Sequence, residues 1–288
     1  MSLTPNASQI ESWDGGTGEH WVAEAERYDR MTGAFGEQIV KRAAPHLGEA
    51  VLDVGCGNGA LCLAISPQVG PSGTVMGLDI SGPMLAEAER RAEAAGVHNL
   101  SLHKGDAQVY PLERGAFDVV VSRFGVMFFD DPVAAFANLG RALSDGGRLV
   151  FACWRHLGEN EWLAVPVGAA LQHVPVPDLG PPGGPGPFSL ADPDSTRRVL
   201  LDAGFVDIAL DEVRGPMLLG RSLDDTVEFM RRTDMADALM KDVDPATQDQ
   251  AWTAVREALV PHADADGAVK LEGSAWLVTA RSSHAGAV

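Results

Sequence analysis

The chain has 288 residues, 45% of them hydrophobic, with 22 basic against 40 acidic side chains and a formal net charge of −18. That length buries one large core or two modest ones, which excludes a disordered chain, and the acidic excess argues against nucleic acid, since phosphate binding depends on lysine and arginine. No stretch of about eighteen apolar residues appears, and the N-terminus has no basic region leading into an apolar core. The expectation is therefore a cytoplasmic protein with no membrane partner.

In chain order, a polar start precedes a helix predicted over 33–47. The run VLDVGCGNGALCLAI from Val51 to Ile65 then begins as an apolar strand and breaks into Gly55, Gly57 and Gly59, with Asp53 two residues ahead of the first glycine. Such a loop lets a ligand lie against bare main chain, and it opens a helix predicted over 60–66. The strand TVMGLD ends in Asp79, placed to accept both hydroxyls of a ribose. Ser81, Gly82 and Pro83 start a helix that runs through Ala95, with Gly96 as its stop. A short strand is predicted at 100–103 and a longer, buried one at 117–124. Asp131 and Pro132 open another helix, with Val133, Phe136, Leu139 and Leu143 on one face. The turn Asp145-Gly146-Gly147 hands over to a strand at 148–154. Strands alternating with helices point to an α/β fold with a parallel sheet covered on both faces.

Beyond Trp154 the texture changes. Ten of the thirteen residues from Pro175 to Pro187 are proline or glycine, which reads as a surface loop. A helix at 195–203, a strand at 205–210, helices at 222–240 and 244–260, and a last strand at 274–281 follow. Ser222 and Asp244 are good helix starts.

The three cysteines, Cys56, Cys62 and Cys153, are odd in number, lack metal-ligand spacing and lie in or beside apolar segments. They read as reduced and structural. No paired acids and histidines follow the fourth strand, so no metal is expected.

The glycine loop alone admits two readings, because Gly55, Gly57 and Ala60 with Asp79 also satisfy the dinucleotide fingerprint of an NAD-binding oxidoreductase. Against that reading, neither tyrosine, Tyr28 or Tyr110, has a lysine four residues on. Four further features bear on the choice: Asp53 inside the first strand, the third glycine at 59, Gly105-Asp106-Ala107 after the third strand, and Asp118 opening a fourth strand that ends in SRFGVMFFDDP.

Together these residues resemble the class I S-adenosylmethionine-dependent methyltransferases, in particular the small-molecule branch related to the ubiquinone and menaquinone biosynthesis methyltransferases. The resemblance covers about residues 51–154. It implies a Rossmann-like, seven-stranded, mostly parallel sheet with helices on both faces and an inserted helical and loop cap. The strand that carries Trp276 would be the family's antiparallel strand, inserted next to the fifth. The resemblance places Asp53, Gly55, Cys56, Gly57, Asn58 and Gly59 under the methionine part of the cofactor and Asp79 on its ribose. Ile80, Met84, Asp106, Ala107 and Gln108 would lie at the adenine. Ser122, Arg123 and Phe124 would flank the methionine end.

The implied division is an N-terminal helical segment over the cofactor at 1–48 and a cofactor-binding core at 49–154. An inserted lid or loop at 155–193, a return to the core at 194–213, a helical cap at 214–265, and a last strand and tail at 266–288 complete it. Trp21 and Tyr28 recur at helical spacing in the N-terminal segment and would close over the cofactor, with the loop at 175–187 as a mobile lid.

The implied chemistry is in-line transfer of a methyl group to the oxygen, nitrogen or carbon of a small molecule, by a monomer or homodimer. A non-catalytic cofactor-binding protein is the remaining alternative. His20, His156 and His173 are the candidates for a base. Trp154, Trp162, Leu163, Phe188, Met217, Phe229 and Met230 suggest an apolar or aromatic acceptor, such as a polyketide, phenol, indole or quinone precursor.

Overall fold

A computed structural model describes residues 4–176 and 184–283. The N-terminus folds into α1 (Ala7–Trp13), α2 (Gly16–Ala23) and α3 (Ala25–Ala43). The helix predicted to begin at residue 33 starts eight residues earlier. Met31, Phe35 and Ile39 form its buried stripe, and it ends where Ala44 turns to a φ of 43° ahead of Pro45. The Trp21–Tyr28 stretch is not one helix, since it breaks at Glu24 between α2 and α3.

The core alternates as the sequence implies: β1 (Ala50–Val54), α4 (Ala60–Val69), β2 (Thr74–Asp79), α5 (Gly82–Ala94), β3 (Leu100–Lys104), β4 (Phe117–Arg123), α6 (Pro132–Ala142) and β5 (Leu143–Trp154). In β1 and β4, Val51, Leu52, Val119, Val120 and Val121 are all inaccessible to solvent, because parallel strands are covered on both faces and read as continuous apolar runs. Asp131 caps α6, accepting from the Ala134 N–H at 3.0 Å, with Pro132 at the first helical position. Removing that acceptor in Asp131→Ala should lower stability by about 1 kcal/mol, read as a shifted urea midpoint at unchanged m-value.

After Trp154 come α7 (Glu161–Ala170), α8 (Pro193–Asp202), β6 (Phe205–Gly220), α9 (Leu223–Met230), α10 (Asp234–Met240), α11 (Pro245–Leu259) and β7 (Val269–Ser282). The seven described strands form one sheet in the order β3-β2-β1-β4-β5-β7-β6, parallel except for β7, which runs antiparallel between β5 and β6 as the resemblance implies. This is the Rossmann-like, seven-stranded arrangement that the resemblance implies.

Three departures from expectation matter for the site. First, α7 has no clear sequence signal, because Pro166 lies inside it and proline-rich sequence follows. Second, the helix predicted over 222–240 breaks at 231–233, where Thr233 caps α10 by accepting from the Ala236 N–H. Third, β6 and β7 are far longer than predicted. Their pairing continues past Ala275, the last partner of Trp154, to Met217 opposite Leu271 and Leu218 opposite Lys270. The two strands thus run on as a ribbon beyond the C-terminal end of β5, with α9–α11 inserted at its far end.

Candidate active site

The sheet reverses its strand order between β1 and β4, and ligands in open α/β sheets bind outside the strand C-termini at such a switch. Here the tips of β1, β2, β3, β4 and β5 open into a cavity of about 540 Å³. Its floor is the glycine loop. Gly55, Gly57 and Gly59 all have positive φ, and a Cβ on Gly57 would stand 2.8 Å from Met84 Cε.

Asp79, at the tip of β2, shapes this loop. Its Oδ2 accepts from the Gly57 N–H at 2.7 Å and its Oδ1 from the Ser81 N–H at 2.9 Å. Burial raises its pKa, while the two backbone donors oppose that rise. Asp53 is only 1% exposed, and burial pushes its pKa up to about 7, with the Cys62 thiol, donating to Oδ2 at 3.2 Å, pulling the other way.

The folded state therefore holds a proton on Asp53 that the unfolded chain releases near pH 4, so this group lowers stability as pH rises toward 7. Melts of the ligand-free protein should show Asp53→Asn gaining on the parent across that window, with the gain levelling off above about pH 7. A constant difference between the two proteins would refute the assignment.

Three buried oxygen atoms on the cavity wall have no hydrogen-bond partner among the described residues: Asp53 Oδ1, Asn58 Oδ1 and Asp106 Oδ2. Buried polar atoms are rarely left unpaired, and these three sit on different sides of the glycine loop and the β3 tip. They mark positions for ligand hydrogen-bond donors. The other oxygen of Asp106 accepts from Asn6 Nδ2 and from the Gln108 N–H, both at 2.9 Å.

Of the seventeen residues named for the cofactor, fourteen line the cavity. Gly59, Gln108 and Ser122 do not. Gly59 starts α4 in the left-handed region against Ala88, and Gln108 Oε1 accepts from Asn6 Nδ2. The Ser122 hydroxyl is inaccessible and donates to the Val54 carbonyl, fastening β4 to β1. Arg123 lines the cavity and pairs with Asp29 at 3.2 Å. Phe124 takes a φ of 64° and stacks on Trp154 with centroids 3.8 Å apart.

Trp21 and Tyr28 stack within 2° of parallel across the α2–α3 break, and both line the cavity. The N-terminal helices are pinned there by Asp14, which pairs with Lys104 at 2.7 Å, and by Arg27, which pairs with Asp225 at 2.7 Å.

Residues 51–147 match the family model described as a methyltransferase domain. Aklanonic acid methyltransferase of Streptomyces sp. (strain C5) is 38% identical over 128 residues, covering 43% of this chain and 58% of that protein. Demethylmenaquinone methyltransferase of Lactococcus lactis is 36% identical over 113 residues, 39% of this chain and 45% of that one. The chain thus spans about half the length of these relatives.

In fold, the chain is similar to phosphoethanolamine N-methyltransferase 2 of Haemonchus contortus, at a TM-score of 0.58 and 18% identity over 97% of this chain and 60% of that one. It is also similar to the YcgJ protein of Bacillus subtilis, at a TM-score of 0.57 and 17% identity over 85% of this chain and 97% of that one.

The rest of the cavity lies outside residues 51–147. Trp154, Trp162, Leu163, Met217, Phe229 and Met230 line it as the sequence reading expected, whereas Phe188 does not. Asn6, Trp13 and Met31 also line it, as do residues from α10 and α11. These additions carried no local signal, because their role depends on how distant elements meet.

The histidine candidates need correction. His156 and His173 are exposed, and neither lines the cavity, so neither stands where it could take a proton from a molecule inside. His20 is half-buried behind the wall, with Nε2 3.2 Å from the Tyr28 hydroxyl. Residues 177–183 of the expected lid lie outside the described residues, and Pro187 at its end lines the cavity. Among the described residues no group of three His, Cys, Asp or Glu could hold a metal, and no helix is long and apolar enough to cross a membrane.

Proposed function

We propose that this protein transfers the methyl group of S-adenosylmethionine to a small apolar or aromatic molecule. The observation that carries the reading is the ring of buried acceptors at the tips of β1, β2 and β3: the Asp79 carboxylate and the unpartnered Asp53 Oδ1 and Asp106 Oδ2. They suit a nucleoside that bears an amino acid. Asp79 would accept from the ribose, Asp106 from the adenine amino group with Ile80 and Met84 alongside, and Asp53 from the ammonium of the methionine part.

A sulfonium supplies an already activated methyl group, so this chain's residues have mainly to align and dry the site. Phe124, Trp154 and the methionines of the ribbon and insertion would exclude water from the reacting side. Neutral His20, whose pKa burial lowers, would take a released proton through the Tyr28 hydroxyl. The relatives named for aklanonic acid and demethylmenaquinone support an aromatic polyketide or quinone-like acceptor in biosynthesis. The acidic charge supports a small molecule over a nucleic acid, and a cytosolic setting fits the same reading.

Calorimetry with S-adenosylhomocysteine, NAD and NADP tests this. Binding of the first and not of the other two is expected. No heat with S-adenosylhomocysteine would overturn the proposal.

A further inference from the structure

The cavity wall carries the carboxylates Asp29, Asp79, Asp106 and Asp234, with Asp53 held protonated up to about pH 7, against one cationic side chain, Arg123, among the described residues. That guanidinium is committed to Asp29, which Arg91 also holds at 2.7 Å. Met217, Met235, Leu239 and Trp252 add apolar surface to the same lining. Asp234 stands at the mouth, where its Oδ2 accepts from Thr17 Oγ1 at 3.1 Å and makes no ion pair among the described residues. Arg27 and Arg232 are both held by Glu24, at 2.9 and 2.8 Å, and Arg27 also by Asp225, while His20, which feels the Asp234 charge, is kept toward its neutral form by burial.

An anionic acceptor would enter through a field of its own sign and find no free cation to replace its water. The methyl donor brings two positive groups and one negative, which still leaves carboxylates in excess. A neutral or protonated aromatic meets only apolar surface, aromatic faces and acceptors.

We propose that the acceptor is an aromatic molecule carrying no anionic group, unlike the acid for which the aklanonic acid relative is named, and that Asp234 is the residue that rejects anions at the mouth. This rests on the methyl-transfer reading above. Selection of this kind comes from a repulsive element as much as from attraction.

The test loads the protein with S-adenosylhomocysteine and titrates three probes of one ring system: 2-naphthylmethylamine, 2-naphthylmethanol and 2-naphthoate. The amine and the alcohol should bind at least fivefold more tightly than the carboxylate. A smaller gap, or no binding by any of the three, overturns the proposal. In Asp234→Asn the gap should shrink by at least twofold, and an unchanged gap removes Asp234 from the role. Failure of S-adenosylhomocysteine to bind would instead sink the methyl-transfer reading, so the two failures are distinct.

Discussion

Gly55→Ala should unfold the protein more readily by about 2–5 kcal/mol and abolish S-adenosylhomocysteine binding in whatever remains folded. Gly55 sits at a φ of 65°, and its added Cβ would lie 2.7 Å from the Cα of Gly125. The reciprocal contact is as close, since a Cβ on Gly125 would lie 2.7 Å from the Val54 carbonyl and 2.8 Å from Gly55 Cα. Both obstacles are main chain, so neither can rotate away, and the tips of β1 and β4 would have to part. Gly96→Ala is the control. Its φ is 64° but nothing lies within 4 Å of the added carbon, so it should incur only the conformational cost of about 1–2 kcal/mol. Equal denaturation midpoints for the two variants would show that the strand-tip contact does not matter.

Asp79→Ala should weaken S-adenosylhomocysteine binding by at least about 3 kcal/mol, roughly a hundredfold or more by calorimetry. Two losses combine. The ribose hydroxyls lose a charged acceptor, and the Gly57 and Ser81 N–H groups lose the oxygens that hold the loop against β2. Asp79→Asn should not rescue the site. Whichever carboxylate oxygen becomes the amide NH2 faces a backbone N–H at under 3 Å, either Gly57 or Ser81, so donor meets donor. Wild-type affinity in the asparagine variant would mean that Asp79 acts only as an uncharged spacer.

The half of the site built by β1, β2, β3 and β4 was legible because its signals are local. Parallel strands buried on both faces leave unbroken apolar runs, positive-φ turns call for glycine, and helix starts announce themselves with Ser81-Gly82-Pro83 and Asp131-Pro132. The other half depends on tertiary partners. Residues 211–220 contain Asp211, Glu212, Gly215 and Pro216 and look like a poor strand, yet the pairing with β7 holds them extended. Trp21 and Tyr28 were read as neighbours on one helix, and they are neighbours across a break that only the packing reveals. His156 and His173 could be separated from the cavity only by coordinates, since a histidine beyond a strand end reads the same whether it faces inward or out.

The β6–β7 ribbon has a consequence for how far acceptor preference can drift. Met217 and Leu219, two positions apart on β6, both turn into the cavity and are each only 1% exposed. A strand alternates faces with a period of two, so one residue inserted or lost ahead of Met217 would swing both side chains outward and present Leu218 and Gly220 in their place. Point substitutions on the ribbon can resize the acceptor wall in small steps. Changes in its length cannot be gradual: an odd insertion inverts the wall unless a bulge takes up the extra residue, as the ribbon already does between Leu218 and Gly220.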